Sequence, residues 1–241
     1  MHGGSANIWI DCSRPSQPPL ISRLGPHNGL QEKVDAIRHA PTGTASRNVR
    51  IILAHGAGAG QRHPFIAGVA RQLARAGVDV WTFNFPYMEQ KRRVPDRAPV
   101  LEDCFRRVIA FARESAGAPD ALFIGGKSMG GRIATHLAAQ EQPMSGVFAL
   151  GYPLHPPGKP EQLRTAHLGT IRVPALIVQG ERDAFGTPAE LREAIAAMKA
   201  PVTLEVVERG DHSLATRGRS ADQLYEWLAA VITKWTAMIS G

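Results

Sequence analysis

A serine flanked by glycines is the feature of this sequence best suited to chemistry. Residues 125–131 read GGKSMGG and contain the pattern G-x-S-x-G around Ser128. The segment follows an apolar run that predicts a strand and precedes a run that predicts a helix. Because the flanking positions lack side chains, strand and helix can approach closely in a strained turn that exposes the serine hydroxyl. This arrangement, a nucleophile elbow, makes Ser128 a nucleophile if a base lies near it.

An acid and a base follow two later predicted strands. Asp183 and His212 each lie in a turn that contains glycine, at the carboxyl end of its strand. Since such ends share one edge of a parallel sheet, we expect both residues to converge on Ser128. An imidazole, with an ordinary pKa near 6.5, can accept the serine proton, and a carboxylate can orient the imidazole. Glu181 is an alternative to Asp183, whereas Asp211 is disfavoured because adjacent side chains diverge.

Two backbone N–H groups are expected to face the oxyanion that such an attack would create. Met129 follows the serine at the start of the predicted helix, where N–H groups have no partner within the helix. The second donor is expected in the loop after the first central strand, residues 55–60, HGAGAG, and we assign it to Ala57. Ala57 and Met129 together form the predicted oxyanion hole.

Rival interpretations of the two glycine-rich segments fail at single positions. A phosphate-binding loop ending in Gly126-Lys127-Ser128 requires a glycine at position 121, where the sequence has Ala121. A dinucleotide fingerprint in the first glycine-rich loop requires a third glycine where Gln61 stands. An ordinary strand-to-helix turn with an incidental serine remains an alternative for the elbow taken alone.

The elements that must position these residues alternate between strand and helix, which is typical of a doubly wound, mostly parallel α/β sheet. Strands are predicted over residues 49–54, 78–85, 121–124, 146–152, 173–179 and 203–207. Helices are predicted over residues 64–76, 99–115, 132–139, 188–198 and 221–238. This part of the chain, residues 48–241, is therefore assigned to one domain.

Residues 1–47 are interpreted as an amino-terminal extension. Residues 7–11 and a segment within 33–39 predict two edge strands that extend the sheet in antiparallel fashion. Residues 13–28, rich in Pro, Ser and Gly, predict a loop. Disorder of the whole extension is the competing interpretation.

The composition of the chain limits which binding partners, cellular compartment and cofactors are expected. The net charge of +7 comes from scattered arginines, and the few aromatic residues do not alternate with basic ones, so no nucleic-acid partner is expected. Two distant cysteines, no signal-like segment and no long apolar run predict a cytoplasmic setting without a membrane partner. No metal-ligand spacing occurs, so the predicted chemistry needs no cofactor or metal. The oligomeric state is left open.

The sequence contains the motifs LAHGAG at 53–58, FPY at 85–87, PDR at 95–97, GGKSMGGR at 125–132, GYPLHPPGKP at 151–160, GERD at 180–183 and GDHS at 210–213. Together these motifs resemble a subgroup of small α/β hydrolases. The subgroup is usually described as dienelactone-hydrolase-like and is similar to testis-expressed hydrolase-like proteins and to a chromatin-complex subunit. The resemblance implies the α/β-hydrolase fold, with a mostly parallel central sheet flanked by helices, no large lid domain and a Ser-Asp-His hydrolase activity. Dienelactone hydrolases have cysteine at the elbow, where this chain has Ser128.

Two loops at the catalytic edge are candidates for contacting substrate. Tyr152, His155 and Lys159 lie in the proline-rich loop after the fourth central strand, and we predict that they line the pocket; a rigid crossover is the alternative. The basic loop over residues 91–97, with Lys127, suggests substrates that carry a carboxylate or phosphate.

The sequence therefore predicts a serine hydrolase that cleaves a carboxylic ester or thioester through an acyl-enzyme intermediate. Its partner is expected to be a small-molecule ester or thioester. A catalytically idle interaction protein on the same scaffold is the alternative from another class.

Overall fold

The computed structural model describes residues 6–11, 33–42, 48–115 and 117–241. The loop predicted over residues 13–28 lies outside these ranges. Within them, none of the helices is both long and apolar enough to cross a membrane.

The centre of the protein is an eight-stranded sheet with the order β1-β2-β4-β3-β5-β6-β7-β8. β1 and β2 pair antiparallel, β2 joins β4 antiparallel, and all further pairs are parallel. The two edge strands expected in the amino-terminal region are therefore present as β1 and β2. The strands are β1 (Ala6–Asp11), β2 (Lys33–His39), β3 (Val49–Ala54), β4 (Asp79–Phe83), β5 (Ala121–Lys127), β6 (Gly146–Leu150), β7 (Ala175–Gly180) and β8 (Val202–Val207).

Helices cover both faces of the sheet. α1 and α6 pack together on one face, and α3 and α4 cover the other. The connection from β6 to β7 contains one short 3₁₀ turn, Leu168–Thr170, as its regular structure. The helices are α1 (Pro64–Arg75), α2 (Pro86–Glu89), α3 (Ala98–Ser115), α4 (Met129–Ala139), α5 (Pro188–Ile195) and α6 (Ala221–Ser240).

The central strands are apolar on both sides because both faces of the sheet are covered. β3 is buried along its whole length. Its side chains alternate between the two cores: Ile52 packs with α3 and α4, whereas Ile51 and Leu53 pack with α1 and α6. This two-sided burial aligns the carboxyl ends of the parallel strands at one edge.

β4 is shorter than predicted and is followed by a short helix, α2, in place of a loop. The Asn84 N–H donates to Asp35 O at 3.0 Å, and the Asn84 side-chain oxygen accepts from the Gln61 N–H at 2.8 Å. The first of these bonds continues the β2–β4 pairing by one residue. The Phe85 N–H, however, donates to His55 Nε2 at 3.0 Å instead of to a strand, and Pro86, whose fixed φ suits a first helical position, starts α2.

A buried ion pair joins β3 and β4 at their amino-terminal ends. Arg50 and Asp79 are register partners, and Arg50 Nε donates to Asp79 Oδ2 at 2.8 Å. Arg38 donates to the other carboxylate oxygen at 2.9 Å. The Arg50 side chain is 4% exposed, so its charge depends on this carboxylate and on nearby carbonyl oxygens.

We predict that Asp79→Asn lowers the free energy of unfolding by about 3 kcal/mol, because it leaves a buried guanidinium without its carboxylate. Urea denaturation measures the change. Asp103→Asn is the control, since its 42% exposed carboxylate pairs with Arg107 on α3 and should contribute about 0.5 kcal/mol or less. Equal losses in the two variants would contradict the prediction.

Candidate active site

Ser128 occupies the turn between β5 and α4. Its backbone has φ 50° and ψ −115°, a conformation that non-glycine residues rarely adopt and that costs about 1–3 kcal/mol. The Ser128 N–H donates to Leu150 O of β6 at 3.0 Å, which ties the turn to the neighbouring strand. The serine therefore stands at the carboxyl edge of the sheet, as the sequence predicts.

The glycines on either side of Ser128 permit this turn by close backbone contact. A Cβ placed on Gly126 would lie 2.5 Å from Ala54 O, and one on Gly130 would lie 2.6 Å from His55 O. Both of these oxygens are backbone atoms at the end of β3, so they cannot move aside as the tip of a side chain can. Glycine at these positions lets the β5–α4 turn lie directly against β3.

We predict that Gly130→Ala lowers the free energy of unfolding by about 3 kcal/mol or more, because the added methyl overlaps the backbone of β3. Thermal or urea unfolding followed by circular dichroism measures it. The control is Gly58→Ala, where no heavy atom lies within 4 Å of the added Cβ. A stability of Gly130→Ala equal to that of the control would refute this account of the glycine.

A continuous chain of hydrogen bonds joins the three predicted catalytic residues. His212 Nε2 lies 2.8 Å from Ser128 Oγ, and His212 Nδ1 lies 2.8 Å from Asp183 Oδ2. Because a carboxylate can only accept, Nδ1 carries the proton and Nε2 is left to accept from the serine hydroxyl. The structure thus brings Ser128, His212 and Asp183 into contact, in the order the sequence predicts.

The Asp183 carboxylate is held rigidly below the histidine. Its side chain is fully buried and also accepts from Gln179 Nε2 at 2.9 Å and from the Phe185 N–H at 2.8 Å. The Phe185 ring stacks on the His212 ring, with centroids 4.1 Å apart. These contacts satisfy the buried charge and limit the rotation of the imidazole.

The two alternative carboxylates are engaged elsewhere. Glu181 accepts from the Arg209 N–H at 2.6 Å. Asp211 Oδ1 accepts from the N–H groups of Ser213 and Ala215, at 2.8 and 3.1 Å. Asp183 is therefore the carboxylate that contacts His212, and Asp211 stabilises the turn that carries the histidine.

The two predicted oxyanion donors, Ala57 and Met129, both line the cavity above Ser128. Met129 is the first residue of α4, so its N–H has no partner within the helix and lies at the positive end of the helix dipole. The Ala57 carbonyl accepts from the Tyr87 hydroxyl at 2.9 Å. Tyr87 thereby fixes the loop that carries the Ala57 amide.

His55 is a further site residue that the sequence analysis did not single out. Its Nδ1 donates to Gly56 O at 2.8 Å, and its Nε2 accepts from the Phe85 N–H at 3.0 Å. The ring is fully buried, and this burial lowers its pKa to about 4, which keeps it neutral. A histidine directly between a buried strand and a glycine-rich loop was the available signal.

Lys127 links the elbow to the loop that carries the catalytic-site histidine. Its Nζ donates to the backbone oxygen of His212 at 2.6 Å and lies 5.9 Å from the centre of the Phe65 ring. Burial lowers the pKa of Lys127 from 10.5 to about 8, against the opposing effect of the Asp183 and Asp211 charges. The ammonium is therefore costly to bury but holds His212 next to Ser128.

We predict a pH-dependent stability difference between the wild type and Lys127→Met. Between pH 8 and 10.5 the folded Lys127 loses its proton while the unfolded one retains it, so the wild type gains stability with rising pH. The difference in unfolding free energy should shift towards the wild type by roughly 1–3 kcal/mol across this window. Urea titrations at several pH values measure it; a constant difference would exclude a lowered lysine pKa.

The cavity above Ser128 has a volume of about 770 Å³. Apolar side chains supply much of its wall, and several cationic side chains reach it. Among its apolar lining residues are Phe65, Leu101, Pro153, Phe185 and Leu224. Its basic lining residues include Lys127, Arg132, Arg164 and Arg219. A pocket of this size and mixed polarity suits a small organic molecule.

Tyr152, His155 and Lys159, predicted to contact substrate, are not among the lining residues of this cavity. Tyr152 is buried, and its hydroxyl donates to Arg164 O at 2.7 Å. The buried His155 places Nδ1 2.8 Å from Pro156 O, and Lys159 is exposed on the same crossover. The first part of the crossover packs into the core, since Tyr152, Leu154 and His155 are buried, and its later part, with Lys159, is exposed to solvent.

The basic loop over residues 91–97 also contributes little positive charge to the cavity. Of its residues, Pro95 and Asp96 line the cavity. Arg92 pairs with the Asp96 carboxylate, which also accepts from the Tyr87 N–H at 3.0 Å. Within the described ranges, no group of three or more His, Cys, Asp or Glu side chains is arranged to hold a metal ion.

Solved structures with the same architecture include hydrolases from three bacteria. The protein superposes on a serine hydrolase without a lid from Xanthomonas campestris (19% identity, 98% of this chain and 96% of that chain, TM-score 0.70). It matches a dienelactone hydrolase from Anabaena variabilis (16% identity, 99% of each chain, TM-score 0.70). It also matches the esterase domain of a Rhodothermus marinus protein (13% identity, 99% and 100% coverage, TM-score 0.71). At these identities the likeness concerns the fold, which is dienelactone-hydrolase-like and without a large lid.

The sequence itself matches the profile of a known domain family. The match to the alpha/beta hydrolase domain spans residues 47–240, which covers every strand from β3 onward and all six helices. The chain belongs to the α/β hydrolase family.

Proposed function

We propose that the protein is a serine hydrolase that cleaves a carboxylic ester or thioester through an acyl-enzyme intermediate. The observation that carries this proposal is the hydrogen-bonded chain Ser128–His212–Asp183, with both contacts at 2.8 Å. A serine with a base in hydrogen-bond reach, and a buried carboxylate behind that base, is the arrangement that acyl transfer requires.

In the first half of the proposed reaction, Ser128 Oγ attacks the carbonyl carbon of the substrate. His212 Nε2 accepts the hydroxyl proton, and Asp183 stabilises the imidazolium through Nδ1. The N–H groups of Ala57 and Met129 donate to the oxygen that becomes negatively charged; one such donor typically contributes about 3 kcal/mol. The tetrahedral intermediate then collapses as His212 returns the proton to the leaving alcohol or thiol.

In the second half, water replaces the leaving group. His212 Nε2 removes a proton from the water as its oxygen attacks the acyl carbon, and the same two N–H groups hold the second oxyanion. Collapse releases the carboxylic acid and returns the proton to Ser128. All groups needed for both halves are supplied by residues of this chain.

The choice of an ester or thioester rests on chemistry and on the fold relatives. Two of the structures that this protein resembles are described as an esterase domain and a dienelactone hydrolase, and a lactone is a cyclic ester. The lack of a large lid leaves the cavity open to small substrates, since the β6–β7 connection carries one short turn. These observations support the proposed substrate class.

We predict that Ser128→Ala lowers kcat for ester hydrolysis by about 10⁶-fold, because the nucleophile and its base act as a unit. The wild type should react covalently with a fluorophosphonate probe at Ser128, which peptide mass spectrometry locates. Ser115→Ala, an exposed serine at the end of α3, is the control and should retain both activity and labelling.

A wild type that neither labels nor hydrolyses any ester or thioester of a broad panel would contradict this function. It would favour the alternative of a non-catalytic interaction protein built on a hydrolase fold. A wild type that hydrolyses esters equally well after Ser128→Ala would instead contradict the assigned nucleophile.

A further inference from the structure

The wall of the Ser128 cavity contains Arg219, whose guanidinium lies 5.2 Å from the centre of the Trp227 ring, and two further arginines, Arg132 and Arg164. Arg132 and Arg164 have no part in the proposed bond cleavage. They come from different parts of the fold: Arg132 from α4 and Arg164 from the crossover between β6 and β7. An inference about what these two arginines bind rests on the proposed function, because the ligand would be part of the substrate of the same site.

Arg132 lies one helical turn beyond the nucleophile. Its N–H donates to Ser128 O at 3.0 Å, which places the two residues on the same side of the start of α4. One turn advances about 5.4 Å along a helix, so a group bound by Arg132 would lie a short spacer away from the scissile carbonyl.

A buried chain of polar side chains orients Arg132. Its Nη1 lies 3.4 Å from His136 Nε2, and His136 Nδ1 lies 2.9 Å from Glu102 Oε1. Because His136 Nδ1–H donates a hydrogen bond to Glu102, His136 Nε2 is left to accept one from the guanidinium. Glu102 also accepts from Gln140 at 2.9 Å and lies 3.6 Å from Arg106, so its charge is shared and only partly offsets that of Arg132.

Arg164 is held by the segment that leaves β6. Its N–H donates to Leu154 O at 2.8 Å, its carbonyl accepts from the Tyr152 hydroxyl at 2.7 Å, and Nη1 reaches Pro153 O at 3.4 Å. Tyr152 and Leu154 are fully buried, so the backbone of Arg164 is fixed against the core. The guanidinium is thus presented by a rigid support beside Pro153, which also lines the cavity.

The two charges are close enough to disfavour one another. Burial first and the Arg164 charge second lower the pKa of Arg132, and the smaller opposing effects of Tyr152 and Glu102 do not cancel them. Within the described part of the chain, neither guanidinium forms an ion pair with a carboxylate. The acidic lining residue, Asp96, is paired with Arg92. Two half-buried cations without an acidic partner are unfavourable unless an anion joins them.

We propose that Arg132 and Arg164 form a subsite that binds a carboxylate or phosphate group of the substrate, so that the protein acts on anionic esters or thioesters with a short spacer. Guanidinium groups present paired N–H donors that match the oxygens of either anion. The subsite discriminates against neutral esters because they leave both arginines without an acceptor.

Two matched substrate pairs test the proposal. In the first pair the carboxylate is in the acyl part: mono-4-nitrophenyl glutarate against 4-nitrophenyl glutaramate, its neutral amide. In the second pair it is in the alcohol part: 3-acetoxypropanoate against 3-acetoxypropanamide. We expect the wild type to show a kcat/KM at least about 10-fold higher for the anionic member of one pair, and this preference should fall with added salt.

Variants that remove the charge of Arg132 or Arg164 test whether these arginines cause the preference for anionic esters. Arg132→Gln and Arg164→Gln should each lower kcat/KM for the preferred anionic ester by about 10- to 100-fold and change that of its neutral partner by no more than about threefold. Arg132→Lys should fall between wild type and Arg132→Gln, because it keeps the charge but loses the paired donors. Arg93→Gln, the same charge change on the exposed basic loop, is the matched control and should leave both values unchanged.

Binding to Ser128→Ala separates this proposal from the proposed function. Calorimetric titration with glutarate and, separately, with inorganic phosphate should detect binding of at least one anion, and which one binds identifies the preferred group. Adding Arg164→Gln should abolish that binding. If the wild type hydrolyses no ester but Ser128→Ala binds an anion through Arg164, the proposed function fails and the subsite stands.

Three other results would contradict the proposed anion subsite. Equal kcat/KM for both members of both pairs would do so, as would losses in Arg132→Gln and Arg164→Gln that are the same for charged and neutral esters. Absence of binding of either anion to Ser128→Ala would do so independently of catalysis. If Arg132→Gln does not fold, Arg164→Gln and Arg132→Lys decide the result.

Discussion

The site depends on the close approach of the β5–α4 turn to the end of β3. Gly126 and Gly130 contact backbone atoms of β3 at distances that leave no space for a side chain. This contact holds Ser128 in a left-handed conformation that it would not adopt alone. Because the same turn starts α4, the serine hydroxyl and the Met129 amide are placed together, and a shift in one would displace the other.

The loops around this turn are held by buried polar side chains rather than by regular structure. His55 bridges the glycine-rich loop to the backbone after β4, and Tyr87 holds the next residue of that loop. Lys127 holds the backbone of His212. Each contact satisfies a buried carbonyl or amide, and each restricts a segment that carries a group of the site. The buried Lys127 illustrates the cost, since its charged form is disfavoured where it lies.

Positive charge at the cavity arises from a few placed residues rather than from overall composition. The chain carries a net charge of +7, yet most of its arginines are scattered on the surface or paired with acids. The basic loop over residues 91–97 is a case in point, because Arg92 is paired with Asp96 at the cavity rim. Among the described residues, Arg132 and Arg164 reach the cavity without forming an ion pair, whereas Arg219, which also lines it, lies over the Trp227 ring. Local pairing, not net charge, decides which cations are available to a ligand.

Much of the fold, and the meeting of Ser128, His212 and Asp183, was predictable from local sequence patterns. Apolar runs and glycines in β3, β5 and the elbow are local signals. Parallel strands place their carboxyl ends at one edge of the sheet, independently of the conformation of the loops between them. Ser128, Asp183 and His212 were therefore expected to lie close together, and they do. The early end of β4 was missed because its cause, the hydrogen bond of the Phe85 N–H to His55, joins residues far apart in the chain.

The direction of side chains in irregular segments was decided by tertiary structure alone. Loops have no periodicity that assigns a residue to one face. Tyr152 therefore looked like a pocket residue from its place after β6, yet its ring is buried and its hydroxyl supports Arg164. The sequence by itself determined the sheet, the elbow and the three residues at its edge; only the packing of the crossover against the core decided that Arg164, and not Tyr152 or Lys159, reaches the cavity.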